Sequence, residues 1–151
     1  MLCTERAAQA ITPGMHGTTF GGGPLATAVA VAVIDEIKRT NLLAHVTQVG
    51  EYFRAQLDQL AARHESIQAI RGKGLMIGCE LDSADLAKSV ASELLARRII
   101  INRTSETVLR FLPPYILERA HVDTLIQALD QVLTQQTQTV RAGAAGEQVN
   151  G

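Results

Sequence analysis

The sequence predicts an α/β to α+β chain in two parts: a Gly-rich loop with a long buried helix, then a small domain whose short, largely antiparallel sheet is covered by helices. Three observations predict it. The first 23 residues are rich in Gly and Thr and show little periodicity. Nearly every residue over 25–37 is Ala, Val, Leu or Ile; a helix apolar on all sides is expected to be buried on all sides. After a second helix the apolar spacing changes from steps of three and four to alternation, which marks strands. Boundaries follow near residues 40 and 135: a first part over 1–40, a small domain over 41–135, and a tail over 136–151.

The loop ends in Gly21-Gly22-Gly23. Pro24 suits the first turn of the first helix, where its missing N–H costs nothing. Asp35, Glu36, Lys38 and Arg39 mark where that helix reaches water. Asn41 is a good N-cap for the second helix. Leu42, Val46, Val49, Phe53, Leu57 and Leu60 give it one apolar stripe, and Gln48, Glu51, Arg54, Asp58 and Arg63 form its wet face. Residues 66–71 and 75–81 read as two strands of a hairpin around Gly72-Lys73-Gly74. Asp82 and Ser83 can cap a third helix, with Leu86, Val90 and Leu94 facing inward. Residues 99–102 form a short strand, paired with 107–112 across a polar turn. Pro113-Pro114 ends that strand, since neither donates to a ladder. A last helix over 118–133 presents Val122, Leu125, Ile126, Leu129, Val132 and Leu133. From 134 onward Gln, Thr, Ala and Gly dominate, and 138–151 reads as disordered. Strand, strand, helix, strand, strand, helix is the order of a small sheet with helices on one face.

Composition narrows the function. A chain of 151 residues with 46% hydrophobic residues suits a modest soluble core. Net charge is −1 and the basic residues do not cluster, against a nucleic-acid surface. Only 3% of residues are aromatic and none is Trp, against base stacking. The start carries no basic stretch followed by an apolar core. The run over 25–34 is too short to span a bilayer, which takes ~20 residues. Cys3 and Cys79 are therefore expected reduced, in a cytoplasmic protein. Cys79 alternates with Ile77 and Leu81 and reads as a small packed group.

Two segments invite chemistry. In PGMHGTTFGGGPLA, residues 13–26, glycines let backbone approach a ligand, Thr18 and Thr19 supply hydroxyls, and a helix N-terminus follows. That resembles half of a phosphate subsite; on composition alone the favoured reading is a Gly-rich connector with a helix cap. It is no Walker loop, lacking Gly-Lys-Thr/Ser. His16 beside it reads first as a structural histidine, and no His or Cys spacing matches a metal site. Arg110, in VLRFLPP, has a planar guanidinium suited to a carboxylate, or it is an arginine on the polar face of an edge strand. Arg71 reads as a salt-bridge partner. The acidic residues along the helices read as solvated faces.

Together the segments resemble class III, fold type I, aminotransferases. HGTTFGGGPLA is similar to that family's H-G-S/T-T-[FY]-G-G-N-P-L-A motif, with Gly23 in place of the usual Asn. IRGKGLMIGCEL is similar to its R-G-x-G-L-M-x-G hairpin, and VLRFLPPYIL to its R-[FLV]-x-P-P-L segment. The order and separations match over residues 1–135, and acetylornithine aminotransferases are the most similar branch. The resemblance implies that residues 1–40 end a large cofactor-binding domain. It implies pyridoxal 5'-phosphate held at a homodimer interface, with an amino acid and a 2-oxo acid as substrates. It implies that Thr19 touches the partner subunit's cofactor phosphate, that Thr18 touches substrate, and that Arg110 binds a substrate carboxylate.

The family's Schiff-base lysine lies shortly before the segment that Met1 begins. Lys38, Lys73 and Lys88 occupy polar positions, without the apolar setting that lowers a lysine's pKa. The expectation is a fragment with no catalytic lysine and no activity alone. Its parent would transfer an amino group from N-acetylornithine to 2-oxoglutarate in arginine biosynthesis. Ornithine or 4-aminobutyrate aminotransferases are the alternatives within the family. A non-catalytic dimerisation or binding module is the alternative outside it.

Overall fold

The computed structural model describes residues 3–12, 14, 15 and 17–147, with side chains described for all of these but 137 and 139–147. It divides into two compact units, Met1–Thr40 and Asn41–Gly151.

The first unit holds two helices. A single helical turn, α1 (Glu5–Ala8), interrupts the expected loop; Thr4 caps it by accepting the Ala7 N–H at 3.4 Å. The long apolar helix is α2 (Pro24–Arg39), with Pro24 at its first position and Gly23 as N-cap. The expectation that α2 is buried is not met: none of its residues is buried, and Leu25 is 80% exposed. Forty residues supply nothing broad enough to cover a helix that is apolar all round.

The second unit is one layer of helices on one face of a four-stranded antiparallel sheet, in the order β1-β2-β4-β3. Helix α3 (Leu42–Ala61) buries Val49, Gly50, Phe53, Leu57 and Leu60. Asn41 sits at its N-cap position with φ 53° and makes no side-chain cap bond. Strands β1 (Ile67–Lys73) and β2 (Met76–Leu81) form the expected hairpin, with Lys73 paired to Met76 across Gly74-Leu75. Gly74 has φ +56°, where glycine carries no Cβ penalty. Ser83 caps α4 (Ala84–Ala96) through the Leu86 N–H at 3.3 Å. The inward face of α4 is Ala87, Val90 and Leu94, with Leu86 only half-buried.

The short strand lies later than expected. Arg98 takes φ 64°, and the Ile99 N–H returns to the Leu94 carbonyl at 2.9 Å, which closes the end of α4. Residues 99–101 are thereby spent leaving the helix, and β3 is Asn102–Thr104. It pairs with β4 (Val108–Phe111) through a turn whose central Ser105 and Glu106 both have positive φ. The loop is three residues long, Ser105–Thr107, between the paired Thr104 and Val108.

The final helix, α5, is Arg119–Glu147, where the tail was expected to be disordered from about 136. Packing of Val122, Ile126, Leu129, Val132 and Leu133 nucleates it. Beyond Leu133 the Gln, Ala and Arg residues favour its continuation, against Thr134, Thr137, Thr139, Gly143 and Gly146, which disfavour it. Residues 148–151 lie outside the described residues.

The core is the sheet's helix-facing side: Ile77, Cys79 and Leu81 of β2 and Leu109 and Phe111 of β4, under α3, α4 and α5. Phe53 and Phe111 meet at 5.2 Å between ring centroids. Long-range polar pairs fasten α3 to the C-terminal elements. His45 Nε2–H donates to the Leu117 carbonyl at 2.8 Å, and the Tyr52 hydroxyl donates to Asp123 at 2.5 Å. Arg119 lies 5.0 Å from the Tyr52 ring centroid. Arg63 and His64 grip the two oxygens of Asp130 at 2.7 and 2.6 Å.

Candidate functional site

Each unit carries its own candidate segment. In the first unit the loop before α2 presents Thr18 and Thr19, both exposed. A Cβ on Gly21 would lie 2.1 Å from Thr18 Cγ2, so any larger residue there would have to turn the Thr18 side chain aside. Gly22 has φ +78°, a conformation that a side chain would strain. The Gly23 carbonyl accepts the Thr27 N–H at 3.0 Å, which sets the first turn of α2. The first turn of α2 leaves N–H groups without helical partners, a setting that favours an anion. His16 lies outside the described residues.

In the second unit the sheet's other face carries the polar residues. Register places Arg71, Gly78, Arg110 and Asn102 in one row across β1, β2, β4 and β3. Directly paired residues share a face, so this row looks away from the core. Arg71 is tied to Glu80 at 2.6 Å, as a salt-bridge partner should be. Arg110 is exposed and has no hydrogen bond or ion pair among the described residues. Among the described residues its guanidinium is an unspent cation of that face, as is the Lys73 amine at the hairpin end.

Beside it lies a cleft of about 730 Å³ lined by Arg98, residues 99–101, Asn102, Arg110, Phe111, Leu112, Pro113, Leu117, His121 and Leu125, among others. Its origin is the end of a pairing: β3 stops at Asn102 opposite Arg110, so the edge of β4 beyond is left open. Pro113 then turns the chain away. The cleft has apolar walls with two arginines and a histidine, and no Asp or Glu among its lining. A shape of that kind favours a small anion with an apolar body. His121 is itself engaged, its Nδ1 accepting the Glu118 N–H at 3.1 Å.

The three lysines are exposed: Lys38 at the end of α2, Lys73 in the hairpin, Lys88 on the outer face of α4. Cys79 is buried, and burial pushes its thiol up to about 12, so it serves packing. Among the described residues no group of three or more His, Cys, Asp or Glu converges as a metal site, and no helix is long and apolar enough to cross a membrane. Sequence reasoning singled out Thr18, Thr19 and Arg110; that Asn102 stands beside Arg110 is set by a register that no local pattern encodes.

The family model for class-III aminotransferases matches residues 1–133. The chain is 45% identical over 137 residues to an acetylornithine aminotransferase of Methanocaldococcus jannaschii, covering 89% of this chain and 33% of that protein. It is 43% identical over 123 residues to that of Caldanaerobacter subterraneus subsp. tengcongensis, covering 82% and 31%. An ornithine aminotransferase of Staphylococcus epidermidis is 36% identical over 132 residues, with 87% and 32% covered. Among solved structures, lysine aminotransferase from M. tuberculosis superposes with TM-score 0.74 at 28% identity, covering 82% of this chain and 28% of that one. Acetylornithine aminotransferase from Elizabethkingia anophelis gives 0.71 at 27% identity, covering 85% and 33%. The chain thus spans about a third of the length of the curated relatives it matches.

Proposed function

We propose that this chain, which belongs to the class-III aminotransferases, is the C-terminal part of an enzyme that moves the terminal amino group of N-acetylornithine, or a similar ω-amino acid, to 2-oxoglutarate. The class consists of pyridoxal-phosphate enzymes. Bound in such a protein, the cofactor would supply an electron sink for the charge left when the carbon bearing the transferred amino group gives up its proton. The residues here fit one end of that group. The Gly-rich turn, the Thr19 hydroxyl and the start of α2 suit its phosphate. The other end needs a desolvated lysine amine, and Lys38, Lys73 and Lys88 are all exposed. The chain on its own is therefore proposed to be inactive, its cofactor contacts being made toward a second subunit of a cytoplasmic homodimer.

The observation that carries the reading is Arg110: an unpaired guanidinium at the rim of an apolar cleft free of acidic groups. Its task is to hold a substrate carboxylate by two parallel N–H···O bonds, which fixes the acid's orientation before any proton moves. Thr18, on the exposed loop beside Thr19, is placed in the same scheme as a substrate contact. The finer assignment to acetylornithine, and through it to arginine biosynthesis, rests on the relatives at 43% and 45% identity. An ornithine substrate is the second reading, favoured by the 36% identical relative.

The test is substitution of Arg110 by Ala in the complete enzyme that contains this chain. kcat/KM for glutamate should fall about 10- to 100-fold, the worth of charge-assisted bonds to a carboxylate. Unchanged affinity for glutamate would remove Arg110 from the site. The chain alone, mixed with pyridoxal phosphate, should give no visible absorbance band of a lysine-linked cofactor; such a band would refute the lysine argument. Comparing acetylornithine with ornithine as amino donor decides between the two readings.

A further inference from the structure

We infer that Asn102 shares carboxylate recognition with Arg110, so that the anion is held by a guanidinium and a carboxamide side by side on the open face of the sheet. This rests on the reading of Arg110 as a carboxylate-binding residue and adds a second donor to it.

Four observations carry it. Asn102 is the direct cross-strand partner of Arg110. Their Cβ atoms therefore lie on one face about 5 Å apart, close enough for both side chains to reach one carboxylate. Both line the same cleft and both are exposed. Neither side chain has a hydrogen-bond or ionic partner among the described residues, so the five N–H donors of the guanidinium and the two of the carboxamide are unspent. On its other side Arg110 is paired with Gly78, which offers no side chain, and the next guanidinium in the row, Arg71, is committed to Glu80. Asn102 is thus the one polar side chain beside Arg110 in its row.

The chemistry is complementary. A carboxylate has about four lone-pair sites, of which a bidentate guanidinium takes two. An N–H from Asn102 fills a third, adding direction without adding charge. A cleft without acidic residues does not compete for these donors.

The experiment uses the isotopically labelled chain as it is, titrated with glutarate and followed by NMR at the Asn102 carboxamide and the Arg110 Nε–H. Both signals should move along one saturation curve. Asn102→Ala should weaken binding about tenfold, a lost hydrogen bond to a charged group. Asn102→Asp, which sets a negative charge against the ligand, should abolish saturation. Both substitutions are at an exposed position, and the wild-type titration reads the contact directly. If Arg110 responds while the Asn102 carboxamide does not, or if Asn102→Ala binds as well as wild type, the inference fails and the reading of Arg110 stands. If Arg110 itself does not respond, the reading of Arg110 fails and takes the inference with it.

Discussion

Gly50→Ala sets two effects of opposite sign against each other. Gly50 is in the middle of α3 and buried. In a helix interior alanine is better than glycine by about 1 kcal/mol, so helix propensity alone predicts a more stable protein. The structure predicts the reverse. A Cβ at Gly50 would stand 2.5 Å from the Gly74 carbonyl oxygen, 2.7 Å from its carbon and 3.0 Å from its Cα. Reaching an ordinary contact of 3.4 Å means moving that backbone by about 0.9 Å. Gly74 is at the tip of the β1–β2 hairpin with φ +56°, and a hairpin tip cannot shift without disturbing its ladder. Overpacking of this kind costs about 1–3 kcal/mol. Set against the helical gain, the net loss should be about 1 kcal/mol, and up to about 2. Urea unfolding followed by circular dichroism measures it, and Tm should fall by about 4 °C. Ala55→Gly, at an exposed position of the same helix, isolates the propensity term and should cost about 1 kcal/mol. If Gly50→Ala is stabilising by the full propensity difference, with unmoved amide signals over 72–76, the close approach of helix and hairpin is wrong.

Two further predictions concern titratable groups. The hydrogen bond from His64, helped by Arg63, holds the Asp130 carboxyl below its ordinary 3.8. The fold therefore favours the ionised form, and this stabilisation is complete above that value and lost as pH falls below it. Asp130→Asn should cost about 1 kcal/mol at neutral pH, allowing for partial exposure. Denaturation curves of the two proteins should converge in acid; a constant gap would exclude Asp130 as the source. Cys3 is exposed while Cys79 is buried with its thiol raised to about 12. A thiol reagent should label Cys3 in the native protein and Cys79 only on unfolding. Rapid labelling of both would mean that the sheet's helix-facing side is open.

Local signals in the sequence determined the parts whose physics is local. Pro24 after a glycine run, Ser83 before an apolar helix, and glycines between two alternating runs each act within a few residues, and α2, α4 and the first hairpin follow from them. The roles proposed for Thr18, Thr19 and Arg110 were read from residue type and motif, because residue type carries the chemistry. What the sequence could not decide was set by partners far along the chain. The apolar run over 99–101 reads as a strand, yet the strand is Asn102–Thr104. The closure of α4 at Arg98 and pairing with Val108–Arg110 fix the register, and neither is visible in the run itself. That register alone put Asn102 beside Arg110. The tail reads as polar and structureless, but packing of the first half of α5 nucleates the helix, which continues to Glu147. The apolar circumference of α2 shows what it must be buried against without supplying it; burial depends on a second surface, which a single helix's sequence cannot provide.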